Sequence, residues 1–257
     1  MNFSINEPWE KIFLDNKIHK HNFAKEPYYI SAKKIKKSCL NFKDKSQKSI
    51  RLLCKQNKRS DRPTVFIEND LFLLRVKSGH YAIIQGEGYV DIPPINTDCI
   101  TYKSKLSFVP ETSLVGDSEM QHLDFAYAAS LIRTFMNDDS LILTIRGRKY
   151  TPEFSFLVGT QRIKTESVQT EVDAGYEGKD KIVLIEAKKS NASDTIIRQL
   201  FYPFKQWSDN TSKQVETIFF SKSASQSTYS IWHFGFKDKD NYNSIHLIKS
   251  AKYKIAQ

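Results

Sequence analysis

A chain of 257 residues with 40% hydrophobic and 26% charged side chains has the composition of an ordinary globular protein, and is long enough for one large domain or two modest ones. The formal charge of +10 asks for a polyanionic partner, and the excess is uneven: residues 1–100 carry 18 Lys/Arg against 11 Asp/Glu, residues 101–257 carry 21 against 18. Cys39, Cys54 and Cys99, an odd count without a CxxC spacing, indicate neither a disulfide framework nor a zinc site, and no apolar run approaches the roughly 18 residues that span a bilayer.

The expectation is therefore a cytoplasmic protein with no membrane contact. Along the chain, residues 7–18 place Trp9, Ile12, Phe13 and Ile18 at helical spacing, with Pro8 in the first turn. The adjacent His19-x-His21 pair lacks further ligands for a metal site. Ser31 is the expected N-cap of a second helix with Ile35 on its apolar stripe. Residues 46–57 read as a third helix, with Ile50, Leu53 and Cys54 on one face and Arg51, Lys55 and Lys58 on the others.

Residues 64–67, 71–76 and 80–85 read as extended segments, the last two joined by a Ser78-Gly79 turn. Gly86-Glu87-Gly88 lacks the third glycine of a dinucleotide fingerprint and is a turn. Pro93 and Pro94 mark 91–98 as a linker, which divides the chain into 1–95 and 96–257. Three short helices followed by a hairpin is the order of a winged helix, whose third helix enters the major groove. That geometry puts Arg51, Lys55, Gln56, Lys58 and Arg59 against DNA.

The second part opens on a strong helical pattern from Asp117 to Met136, with Ser118 as cap and Glu119 in the first turn, where its charge is favourable in any case. Residues 141–145 and 154–158 read as strands about a basic turn, Arg146-Gly147-Arg148-Lys149, suited to gripping phosphates. From Ser167 to Lys189 two alternating segments meet at a charged turn. Gln169, Glu171 and Asp173 share one side of the first, and Ile182, Leu184, Glu186 and Lys188 share one face of the second. Two adjacent strands would bring Asp173, Glu186 and Lys188 together, a costly group to bury unless paired or holding a hard divalent cation. A helix over 193–207 and strands at 215–220, 229–236 and 244–249 complete the chain, giving an α/β (α+β) fold.

At Asp173 and Glu186-Ala187-Lys188 the chain resembles the PD-(D/E)XK nuclease superfamily, with Val172 where the motif's proline would stand. More widely, LLCKQNKRSDRP, GEGYVDIPPI, GDSEMQ, RGRKYTPEFSF, VQTEVDAGYEG, IEAKK and IRQLFYP resemble type II restriction endonucleases with a small winged-helix-like domain ahead of a nuclease domain. The resemblance implies a restriction-endonuclease-like mixed sheet flanked by helices, double-stranded DNA as partner and Mg²⁺ as cofactor. It implies Asp173 and Glu186 as metal ligands with Glu171 as a further candidate, and Lys188 positioning or activating water. Glu119 and Gln199 are candidate catalytic contributors from the helices before and after. Symmetric cutting favours a homodimer. Two other readings stay open: a DNA-binding regulator with an inactive nuclease-like part, and an endonuclease that requires a methylated base.

Overall fold

The structure, a computed structural model, describes residues 5–116, 118–189, 192–223 and 227–256. Its architecture is α+β. The first part comprises α1 (Asn6–Asp15), β1 (Tyr28–Ser31), α2 (Ala32–Ser38), α3 (Ile50–Leu53), α4 (Thr64–Glu68), β2 (Leu71–Lys77) and β3 (His80–Gln85). Trp9, Ile12 and Phe13 of α1 are buried as the spacing predicts, and the Ser31 hydroxyl caps α2 by accepting from the Lys34 N–H at 3.3 Å. The strands form an antiparallel sheet in the order β1–β3–β2.

Two expectations fail here. Residues 64–67 are helical rather than extended: Pro63 starts the turn, its carbonyl accepting from the Phe66 and Ile67 N–H groups. Phe66 is then buried edge-on against Trp9 at 4.8 Å between ring centroids, so packing overrides the strand preference of Thr64 and Val65. The expected long third helix is also cut down to a 3₁₀ turn at Ser46–Lys48 and the single turn α3, because Ser49 is extended. Beyond α3 the backbone serves another partner, the Asn57 carbonyl accepting from the Ile196 N–H at 2.8 Å.

The second part continues with β4 (Tyr89–Asp91), β5 (Ile100–Lys103), α5 (Glu119–Ala128), α6 (Leu131–Met136), β6 (Ile142–Tyr150), β7 (Phe154–Val158), β8 (Gln161–Thr165), β9 (Gln169–Glu177), β10 (Lys181–Lys188), β11 (Asp194–Ile196), α7 (Arg198–Ser208), β12 (Gln214–Ser223), β13 (Thr228–Phe236) and β14 (Ile245–Ala256). Seven of these strands form one mixed sheet in the order β5–β14–β13–β12–β10–β9–β6. Its centre is the parallel β10–β12 pair, and β9 runs antiparallel beside β10. Val183, Ile185 and Ala187 face α5 and α6 in one core, while Ile182 and Leu184 of the same strand pack on the other face with Trp207 of α7.

Four further expectations are corrected. The single helix over 117–136 is two helices, because Ser130 adopts φ +67° and turns the chain; Asp117 itself lies outside the described residues. The basic turn at 146–149 lies inside β6, where Gly147 at φ +84° takes up a bulge against β9. Residues 194–196 are a strand paired with β4 before α7 begins at Arg198. The proline segment 91–98 is packed rather than free: Ile92 and Ile95 are buried, and the Trp232 indole donates to the Pro93 carbonyl at 2.8 Å.

The hairpin β2–β3 joins the two parts. Leu71, Leu73, Tyr81 and Ile83 pack on α1, α2 and α4, whereas Phe72, Leu74, Val76, Ala82 and Ile84 pack on Phe156, Phe201, Tyr202 and Tyr242. Buried on both faces, the hairpin holds the first part against the sheet that carries the carboxylates. Gly88 allows the closest approach, since a Cβ there would lie 2.2 Å from a Phe72 ring carbon. We therefore expect Gly88→Ala to lower stability by roughly 1–3 kcal/mol in urea unfolding, whereas an unchanged midpoint would mean that this junction can relax.

Candidate active site

Strand β10 begins apolar and ends charged, and the sheet uses that change. Its ladder to β9 runs as far as Ile185 opposite Ala174. One residue beyond, Asp173 replaces the backbone partner with its side chain: Oδ2 accepts from the Ala187 N–H at 2.7 Å. Glu186 points to the same end and is only 7% exposed. Its Oε1 accepts from the Lys188 ammonium and from the Gln199 amide nitrogen. Thr195 orients that amide, its hydroxyl donating to Gln199 Oε1 at 2.9 Å. Glu119, capped into place at the start of α5 by Ser118, accepts from the Lys189 N–H at 2.9 Å.

The electrostatics follow from burial. Removal from water raises Glu186 to about 7, against the opposing pull of Lys188, with Asp173 adding to the rise. Burial likewise raises Asp173, countered by the Ala187 N–H and Lys188 and reinforced by Glu119 and Glu171. For Lys188 burial acts downward, but Glu186, Asp173 and Glu119 outweigh it and hold the ammonium above its ordinary value. The ammonium is thus charged at neutral pH beside two carboxylates that compete for compensation.

These groups open into a cleft of about 790 Å³ whose lining includes Asp173, Glu186, Lys188, Glu119, Gln199 and Glu171. Glu171 lies on the cleft, but its carboxylate is paired with Arg148 Nε at 3.3 Å. Arg146 also lines the cleft and is paired with Asp124. Lys149 is held 5.0 Å from the Trp207 ring instead of lining the cleft.

Of the five residues expected against DNA in the first part, Arg51 alone lines the cleft, and Lys55 lines a smaller pocket that adjoins it. Gln56 is 2% exposed, so its burial overturns the expectation of a surface contact. Arg59 is likewise committed elsewhere, to Glu87 at 3.2 Å and Asp91 at 2.6 Å, and Lys58 lines a groove beside Pro93 and Trp232. Both follow from the early end of α3, which redirects residues 56–59 toward β11 and β4.

Arg75 and Arg198 join the cleft, yet sequence reasoning did not assign them a role. Arg75 had a signal, a lone cation inside the apolar run FLLRV of a strand. Arg51, Arg75 and Arg198 make no ion pair with the described residues, unlike Arg59, Arg146 and Arg148.

A hard divalent cation fits this donor set. Among the described residues no three Asp, Glu, His or Cys side chains close into a metal cage. The chain instead offers the carboxylate pair Asp173 and Glu186, the few-ligand pattern by which Mg²⁺ is held with waters and phosphate oxygens.

The chain belongs to the family described as domain of unknown function DUF6997, whose model matches residues 84–254. A second model, domain of unknown function DUF6996, matches residues 6–83, so the two meet at the end of β3. No curated protein and no solved structure matches the chain.

The raised Glu186 predicts a pH effect. Between its unfolded value near 4.5 and about 7 the folded state holds a proton that the unfolded chain has released, so stability falls as pH rises through that window. In metal-free buffer, wild type should lose melting temperature relative to Glu186→Gln between pH 5 and 8. Parallel melting curves would contradict a carboxylate whose burial outweighs its pairing with Lys188.

Proposed function

We propose that the chain is a Mg²⁺-dependent endonuclease of the type II restriction class, hydrolysing phosphodiester bonds of double-stranded DNA at a short specific sequence. The observation that carries this reading is the convergence of Asp173, Glu186 and Lys188 in one cleft with three arginines that have no ion-pair partner among the described residues. Glu186 and Lys188 alone could be a structural ion pair. Carboxylates for a cation next to guanidiniums for phosphates match what a phosphodiester requires.

Hydrolysis forms a bond from a water oxygen to phosphorus as one ester P–O bond breaks; the water gives up a proton and the departing oxygen gains one. Mg²⁺, when held by Asp173 and Glu186, supplies charge neutralisation at the phosphate and acidifies water. Lys188 remains an ammonium, so its part is to donate hydrogen bonds to the attacking water or a phosphate oxygen, rather than to accept a proton. Gln199 holds Glu186 in place, and Thr195 holds Gln199. Arg51, Arg75 and Arg198 grip phosphate oxygens, which fixes the strand without reading its sequence. The nuclease-like sheet and the winged-helix-like first part are readings supported by the sheet orders β9–β10–β12 and β1–β3–β2. With the hairpin buried on both faces, DNA contact in the first part rests on α3 and the turn after it.

Mixed-sequence plasmid incubated with the protein and Mg²⁺ should give discrete fragments. Asp173→Ala or Lys188→Ala should lower the cutting rate roughly 100-fold or more while DNA binding persists. At Mg²⁺ below saturation the rate should rise with pH through about 7, where metal-free Glu186 ionises and becomes able to take the cation. Retained cutting by Asp173→Ala would overturn the assignment, and binding without cutting would favour a regulator. Cutting confined to methylated plasmid would favour the methyl-dependent reading.

A further inference from the structure

A second cavity of about 350 Å³ opens off the cleft, between α3, β2 and β11. Its volume is at the low end of small-ligand sites, roughly 300–1,000 Å³. Arg51, Arg75 and Arg198 line both spaces and so stand where one passes into the other. The rest of the lining is mixed, with Lys55 and Asn57 beside the apolar Leu73 and Ile196 and the Tyr81 ring.

Gln56 completes that lining. Its backbone is pinned, the carbonyl accepting from the Tyr89 hydroxyl at 3.1 Å and the next residue's carbonyl from the Ile196 N–H at 2.8 Å. Its side chain is 2% exposed, yet neither Oε1 nor Nε2 has a partner, and Arg75 Nε is likewise buried without one. Buried amides are ordinarily satisfied. Here a shielded donor and acceptor are uncommitted beside a pocket whose arginines are shared with the cleft and whose lining includes the apolar Leu73 and Ile196 and the Tyr81 ring.

A planar group with hydrogen-bonding edges, attached to a phosphate, meets all three features. We propose that this pocket receives a single nucleobase turned out of the DNA held in the cleft, its edge meeting the Gln56 amide and its phosphate resting on Arg51, Arg75 and Arg198. The proposal rests on the nuclease reading for the DNA in the cleft. It adds a specificity element that the carboxylate site lacks: a base read outside the duplex, by hydrogen bonds at its edge and packing on its faces.

Chemical probing of unpaired bases tests it independently of cutting. Fragments of a mixed-sequence plasmid are bound with calcium in place of magnesium and treated with permanganate, chloroacetaldehyde or kethoxal, which mark unpaired thymine, adenine and cytosine, or guanine. Sequencing should show one strongly reactive position at each bound site, either the turned-out base or the partner it leaves behind. Gln56→Leu removes the amide at nearly constant size and should fold, since it also removes two unpartnered polar atoms. It should lower that reactivity at least tenfold while DNA is still bound.

Plasmid cut in Mg²⁺ with no reactive base would overturn the pocket proposal and leave the nuclease reading standing. Reactive bases that depend on Gln56 without any cutting would do the reverse. Undiminished reactivity in Gln56→Leu overturns the role of the amide. Binding of free adenosine, guanosine, cytidine or thymidine monophosphate that requires Gln56, with no reactive base in DNA, assigns the pocket to a free nucleotide and overturns the proposal.

Discussion

Two carboxylates, Asp173 and Glu186, line one cleft where a buried strand ends, with the Lys188 ammonium acting on both. Taking a carboxylate out of water is costly, and the cost appears as the upward shift of both groups, for which burial is the main cause and neighbouring acids a smaller one. Much of the surroundings bears on that cost. Ala187 gives its N–H to Asp173, Gln199 is oriented by Thr195 to donate to Glu186, and Lys188 stays charged because both acids face it. Structural ion pairs are usually balanced in number; here Asp173 and Glu186 share one ammonium, the imbalance that the proposed cation would offset.

The position of the first part follows from a different term, apolar burial. Hairpin β2–β3 has no solvent face: alternate residues enter the helical core and the core of the sheet. This double burial brings Arg75 on β2 and Arg51 on α3 to the same cleft as Arg198 on α7. Three guanidiniums from distant stretches of sequence therefore meet beside the carboxylates, and the hairpin acts as the spacer between a positively charged wall and the acidic floor.

What the sequence made legible was local and periodic. Alternation in 182–188 put Glu186 and Lys188 on one face and Val183, Ile185 and Ala187 on the other, and the sheet keeps that division. The caps Ser31 and Ser118 are where the residue types predict them. Several of the failures share one cause, a nonlocal partner that outweighs local preference. Phe66 draws 64–68 into a helix by packing on Trp9, and Asn57 and Asp194 pull the segment after α3 and the segment before α7 together. Gly147 absorbs a bulge that turns an expected loop into strand. Gln56 and Arg59 are drawn off the surface for that same reason, and Arg75 was missed because an arginine in an apolar strand says that something is near it without saying what.

The claim on which the rest depends is that Asp173 and Glu186 form a cation site, and calorimetric titration of the protein with Mg²⁺ tests it most directly. With Glu186 near 7, binding at pH 6.5 should release protons, seen as a heat that varies with the ionisation enthalpy of the buffer. The release should fade by pH 8.5, and both the binding and the release should be lost in Asp173→Ala and Glu186→Gln. Saturable Mg²⁺ binding that is unchanged in both variants, or no binding at any pH even with DNA present, would contradict the account.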